Sequence, residues 1–171
     1  MELIIVIAIL AIIGSGFLTS TNIITNARCK KATESIYTAL GNVKTNSLAT
    51  SRPGDATTES YLMLWRENGG IYMYECRANN LKGMTDAKKA EMIDKQKEKI
   101  APDGLGVKYE DASGTVRDIP SLKSDAIKIY FKRGSGVVDT SKCTHLFKTV
   151  TAGNYEVLLV SETGKMKWGR K

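Results

Sequence analysis

The chain has 171 residues, of which 42% are apolar and 25% charged, and its 25 basic against 18 acidic side chains leave a formal charge of +7. That length suits one domain with an appendage; three prolines and fifteen scattered glycines exclude a collagen-like or Pro-rich chain, and patterned apolar residues exclude wholesale disorder. A mean hydropathy of −0.20 with one long apolar run excludes a polytopic membrane protein, and three cysteines with one histidine leave little material for a zinc site.

The apolar run comes first. From Leu3 to Ile13 no polar side chain interrupts it, and Gly14, Ser15, Gly16, Phe17 and Leu18 extend its character. As a helix, Leu3 to Leu18 would span about 24 Å, slightly short of the ~20 residues that cross a bilayer, and the weakly polar stretch from Thr19 to Ile24 completes that length. Three readings compete: a cleaved secretory signal, a plain signal anchor, and a filament subunit whose helix rests in the membrane before assembly. A cleaved signal needs a basic start and a small-residue cleavage site, whereas Glu2 stands at the start and no such site follows. Arg28, Lys30 and Lys31 follow the run and nothing basic precedes it. The positive-inside rule alone would place the following residues in the cytoplasm, yet the strand-rich remainder with its cysteines reads as an exported head. A basic leader ahead of Met1 would reconcile the two.

The thirteen positions from Glu2 to Gly14, a glutamate opening an unbroken apolar helix, resemble the N-terminal signature of type IV pilins and of the pseudopilins of type II secretion and competence systems. The stretch from Tyr155 to Lys167 is similar, less specifically, to the closing hairpin of minor pseudopilins. The resemblance implies a short basic leader cut a few residues before the glutamate by a prepilin peptidase, a methylated new N-terminus, and an expectation that Met1 is not the native start. It implies that Glu2 pairs with the terminal amine of a neighbouring subunit and sets the stagger of assembly; a carboxylate among apolar helices is costly unless paired. The plainer reading of Glu2 is a helix N-terminal acid favoured by the macrodipole. The implied partners are identical or homologous pilin subunits, the inner or cytoplasmic membrane before assembly, and the assembly machinery. The implied location is a single-pass membrane protein with an exported head, then a surface or periplasmic filament.

Beyond the apolar run, Cys29, Ala32, Ile36, Leu40, Val43 and Ser47 step by three or four residues, one helical face. With no proline before Pro53, the pattern predicts one helix from about Glu2 to about Leu48, roughly 70 Å long. The expected parts are an apolar helix over residues 1–24, its amphipathic continuation over 25–50, and a head over 51–171. The fold class is α+β: the C-terminal half of a pilin-like helix packed on one antiparallel sheet. Within the head, Ser60 to Arg66 reads as a short helix, Asn68-Gly69-Gly70 as a turn, and Ile71 to Arg77 as a strand. Thr85 to Ile100 reads as a second helix burying Ala87, Ala90, Ile93 and Ile100 and stopped by Pro102. Strands are expected over Leu105 to Glu110 and Thr115 to Ile119, a hairpin about Asp111 to Gly114. Ile127, Ile129 and Phe131 alternate with Lys128, Tyr130 and Lys132 as a half-buried strand; His145 to Val150 and Tyr155 to Ser161 pair, and Lys165 to Trp168 adds an edge.

Catalysis finds little support. His145 stands in a strand-like context as a satisfied structural histidine, and neither a nucleophile elbow, a P-loop nor a C-x-x-C is present. No cofactor and no metal are expected, and Asp103-Gly104 and Asp111 do not space as an EF-hand loop. In an oxidising compartment a bridge between Cys76 and Cys143 is the favoured pairing, with separate buried thiols the alternative. The basic tail of Lys165, Lys167, Arg170 and Lys171 with Trp168, together with Lys123, Lys128, Lys132, Arg133, Lys142 and Lys148, offers a polyanion surface on which an aromatic ring would stack a DNA base. The blander reading is a solvated basic face, and DNA is not the favoured partner because no recognition motif accompanies the charge. The alternative to a filament subunit is thus a monomeric, membrane-anchored binding module with a basic head. Lys95 to Lys99 alternates basic residues with a glutamine and a glutamate and reads as a solvated helix end.

Overall fold

The computed structural model describes residues 2–49, 60–77 and 83–171, without the side chains of residues 2–5 and 8–20. The first element is α1 (Glu2–Ala49), 48 residues and about 72 Å of continuous helix. The expected stripe is its buried face: Cys29, Ala32, Ile36, Leu40, Val43 and Ser47 are all buried, joined by Thr33 and Ala39. The two buried hydroxyls cost little, because each turns back on its own helix. Thr33 Oγ1 donates to the carbonyl of Cys29 or Lys30 (3.1 and 2.9 Å), and Ser47 Oγ donates to that of Val43 (2.9 Å).

The head is α+β, with two antiparallel sheets rather than the one sheet expected. The first sheet contains β1 (Tyr61–Glu67), β2 (Gly70–Cys76), β3 (Glu98–Pro102) and β6 (Ile127–Tyr130), in the order β3-β2-β1-β6. The second contains β4 (Lys108–Asp111), β5 (Val116–Asp118), β7 (Phe147–Ala152), β8 (Tyr155–Val160) and β9 (Lys165–Arg170), in the order β5-β4-β7-β8-β9. α1 lies against both sheets. One continuous core therefore joins Ile36, Leu40 and Val43 to Leu62, Leu64, Ile127 and Ile129 of the first sheet and to Val150, Val157 and Leu159 of the second. Each fully buried Ile or Leu here contributes about 1.5–3 kcal/mol relative to exposure.

The sheets part company between β6 and β7. The intervening segment makes only two isolated bridges, Phe131 to Val138 and Lys128 to Thr144. His145 then takes a left-handed φ of 51°, and the chain enters β7 in the other sheet.

Three elements differ from expectation. Residues 61–67 form β1, not a helix. As an inner strand, β1 is covered by α1 on one face and on the other by a second cluster of Met63, Trp65, Tyr74, Cys76, Ile93 and Ala126. A strand buried on both faces shows an unbroken apolar run instead of alternation. The second helix, α2 (Asp86–Gln96), ends four residues early, and Ile93 is its only buried residue; Ala87 and Ala90 are exposed. Lys97 is extended, and Ile100 and Pro102 belong to β3, which pairs with β2. Leu105 closes a short 3₁₀ turn (Asp103–Leu105) ahead of β4. The Asn68-Gly69 turn joins β1 to β2, both residues at positive φ (41° and 72°), as a two-residue hairpin of matching twist requires.

Candidate functional site

β9 runs antiparallel to the buried half of α1, and two hydrogen bonds to that helix, with the pairing to β8 at its end, fix its level. At its start, Lys44 Nζ donates to the carbonyl of Gly164 (2.9 Å). Midway, Trp168 Nε1 donates to Thr33 Oγ1 (3.0 Å). At its end, Arg170 sits opposite Tyr155, and the Lys171 amide donates to the carbonyl of Asn154 (2.8 Å). The neighbouring turn residue Gly153 lies against Cys29: a Cβ built there would come within 2.9 Å of its sulfur.

This places the basic-tail residues. Lys165 and Lys167 are exposed, while Met166 and Trp168 are half-buried and pack on the core. Arg170 and Lys171 are exposed at the end of the strand. Trp168, anticipated as a stacking residue, is half-buried and bonded to Thr33 on α1. The other basic residues do not form one free patch. Lys123 pairs with Asp94 (2.9 Å), Lys148 with Glu110 (3.7 Å) and Lys142 with Asp139 (3.9 Å).

Arg28, Lys30 and Lys31 gather at the other end of the buried stripe. Residues 21–28 are all exposed, Cys29 is the first buried residue after them, and Lys30 and Lys31 are exposed in turn. Gly153 lies against Cys29 and Asn154 accepts from the Lys171 amide, so Arg170 and Lys171 lie near the level of Cys29, at the end of the buried stripe that Arg28, Lys30 and Lys31 flank. Glu2 opens α1, and its side chain lies outside the described residues. Among the residues whose side chains are described, no helix is long and apolar enough to cross a membrane; the run from Leu3 to Leu18 falls largely outside them.

The structure does not bring Cys76 and Cys143 together, and all three cysteines are thiols. Cys76 pairs across to Tyr61, Tyr61 to Tyr130, and Cys143 sits beyond Tyr130, whose amide points at its sulfur (3.4 Å). At about 4.8 Å per strand, that separation exceeds the reach of a disulfide, about 4.4–6.8 Å between Cα atoms. Burial pushes the Cys76 thiol up to about 11, against the opposing effect of the Tyr61 and Tyr74 hydroxyls. Burial likewise raises Cys29 and Cys143.

His145 Nε2 meets Asp125 Oδ1 at 2.8 Å and its ring stands edge-on to Tyr109. It occupies a bend before β7 and faces no nucleophile. Asp111 is fully engaged by its own hairpin: it accepts from the Ser113 hydroxyl and amide, the Thr115 amide and Arg117 Nε. Those donors, the Ser113 hydroxyl foremost, hold its carboxyl below the usual aspartate range. Among the described residues no group of three or more metal-ligating side chains converges.

One ionic cluster was not legible as such. Lys97 bridges Glu67 (2.7 Å) and Asp94 (3.2 Å) and lies over the Tyr72 ring, while Lys123 reaches Asp94, the carbonyl of Ala90 and the Trp65 face. Trp65 Nε1 also donates to Glu67 (3.1 Å). The Lys97 ammonium, then the Trp65 donor, holds the Glu67 carboxyl below its ordinary range; Lys123 does the same for Asp94. The cluster ties α2 to the first sheet and is structural.

No family model, no curated protein and no solved structure matches the chain.

Proposed function

We propose that the chain is a structural subunit of a type IV pilus-like or pseudopilus-like filament, held in a membrane by its N-terminal helix before assembly and packed by that helix afterwards. One observation carries this reading: among the α1 residues whose side chains are described, burial against the head begins at Cys29, and it runs for about 28 Å of a helix about 72 Å long. The sequence ahead of Cys29 is the most apolar part of the chain, and residues 21–28 are all exposed. An apolar helix that its own domain does not cover is stabilised by lipid or by copies of itself. The dense apolar signature opening with Glu2 supports the same reading.

Among the described residues, the engagement of His145 by Asp125 and the packing of Trp168 on α1 leave an enzyme or a base-stacking module less well supported. The test is the N-terminal peptide mass of the protein isolated from its own cells, with filament fractions purified alongside. A methylated residue a few positions before Glu2, recovered in filaments, is expected. An unprocessed chain found only as monomer in membranes would refute the proposal and favour an anchored binding module.

A further inference from the structure

We propose that the basic ring where α1 leaves the head is a docking surface for anionic phospholipid headgroups, seating the head on the membrane before assembly. This rests on the filament-subunit reading above, because it requires the apolar helix to lie in lipid.

The ring is assembled from two distant parts of the sequence. Arg28, Lys30 and Lys31 come from α1, and Arg170 and Lys171 come from the end of β9. Gly153 against Cys29 and the Lys171 amide on Asn154 set both groups at one level. All five cations are exposed. Among the described residues none of them forms an ion pair, in contrast to Lys97, Lys123 and Lys148 elsewhere on the head. The nearest acids are Glu34 and Glu156, with Glu75 and Glu98 across the groove that Lys31 and Glu34 line; Glu75 is itself engaged by Asn42 and Arg77.

The spacing fits a bilayer. Leu3 to Ile24 is about 33 Å of helix, close to the ~30 Å hydrocarbon core. Ile23 and Ile24, both exposed, are the last large apolar residues before Arg28. Arg28 then lies about 6 Å beyond Ile24, at the depth of the headgroups and within a Debye length of their phosphates. Each cation so placed raises occupancy of an anionic surface about fivefold. A nucleic acid is the less favoured partner, because no recognition motif accompanies the charge.

The experiment is amine footprinting of the full chain in nanodiscs, either neutral phosphatidylcholine or phosphatidylcholine with about 30% phosphatidylglycerol. Acetylation of Lys30, Lys31 and Lys171 is read by peptide mass against Lys88 and Lys95 on α2. Protection of the three ring lysines by about threefold or more in anionic discs, reversed by high salt and absent at Lys88 and Lys95, is expected. Equal acetylation in both discs overturns the inference while leaving the filament reading intact. Failure of the chain to enter discs at all overturns both. Protection by a DNA oligonucleotide but not by anionic lipid overturns the lipid assignment in favour of nucleic acid. As a second arm, the Arg170→Gln/Lys171→Gln chain should lose part of the protection at Lys30 and Lys31; unchanged protection there would show that the two groups do not act as one ring.

Discussion

Gly164→Ala tests how the second sheet is seated on α1. Gly164 closes the turn from β8 to β9 at a φ of 62°, a region that costs an L-residue about 1–2 kcal/mol. A Cβ there would also overlap the backbone carbonyl of Gly136, on the loop that leads away from β6. The obstacle is main chain, so rotating a side chain does not relieve it. The turn must lift, and two bonds go with it: Lys44 Nζ to the Gly164 carbonyl (2.9 Å) and the Val138 amide to the Ser161 carbonyl (3.3 Å). At about 1 kcal/mol for each bond, the total approaches 3–4 kcal/mol. Two controls separate the terms. Gly114→Ala carries the same sign of φ (87°) but meets only the Glu110 carboxylate at 3.9 Å, so strain of about 1–2 kcal/mol is its whole cost. Gly104→Ala has an ordinary φ and open space, and should be neutral or stabilising by about 0.5 kcal/mol. Urea unfolding of the full chain in detergent micelles, followed by Trp65 and Trp168 fluorescence, ranks the three. If Gly164→Ala unfolds at the same urea concentration as Gly114→Ala, the turn does not rest on the Gly136 loop and this account of the seating is wrong.

Other outcomes follow from the same contacts. Trp168→Phe and Thr33→Val should each destabilise the fold, with a coupling near 1 kcal/mol in a double-mutant cycle; zero coupling would mean that the indole bond contributes nothing. Glu67 and Asp94 have folded pKa values held below their ordinary 4.5 and 3.8. Their contribution is therefore full above those ordinary values and is lost as pH falls through the lowered folded ones. Acid titration of stability should show that loss in wild type and a shallower one in Lys97→Gln; parallel curves would contradict it. At pH 8 the buried thiols should react with a disulfide reagent far more slowly folded than in urea, by about a hundredfold for Cys76, with half-buried Cys143 first. Rapid labelling of Cys76 in the native state would show that its burial is wrong. On the filament reading, Glu2→Ala should co-assemble poorly with wild type in cells; normal incorporation would remove the proposed role of that carboxylate.

The helix stripe was legible because period and burial agree: one face of α1 meets the core, and its apolar residues recur at three and four. The strands of the second sheet were legible for the matching reason. Tyr155 to Val160 and Lys165 to Arg170 have one face inward, and Gly153 and Gly164 mark turns at positive φ. β1 was not legible. With cover on both faces, Leu62, Met63, Leu64 and Trp65 present a continuous apolar run, and such a run carries no period to separate strand from helix. The end of α2 was hidden for another reason. Lys97 and Glu98 look like more solvated helix, and only long-range pairing with Glu67 and β2 turns them into an ionic clasp and a strand.

Reach along the chain explains why the candidate surfaces followed the same division. Arg170 and Lys171 could be read as a basic tail, but their meeting with Arg28, Lys30 and Lys31 depends on β9 running back along α1. From Lys44 to Cys29 the helix retreats about 22 Å, and the chain covers nearly the same distance, about 20 Å, from Lys165 to Lys171. That match of lengths brings the last residues of the sequence to the point where the first helix emerges. The same geometry consumes Trp168, because a side chain at the middle of a strand lying along α1 points into the helix face. Trp168 is therefore a packing residue on α1, while Arg28, Lys30, Lys31, Arg170 and Lys171 stay exposed around the end of the buried stripe.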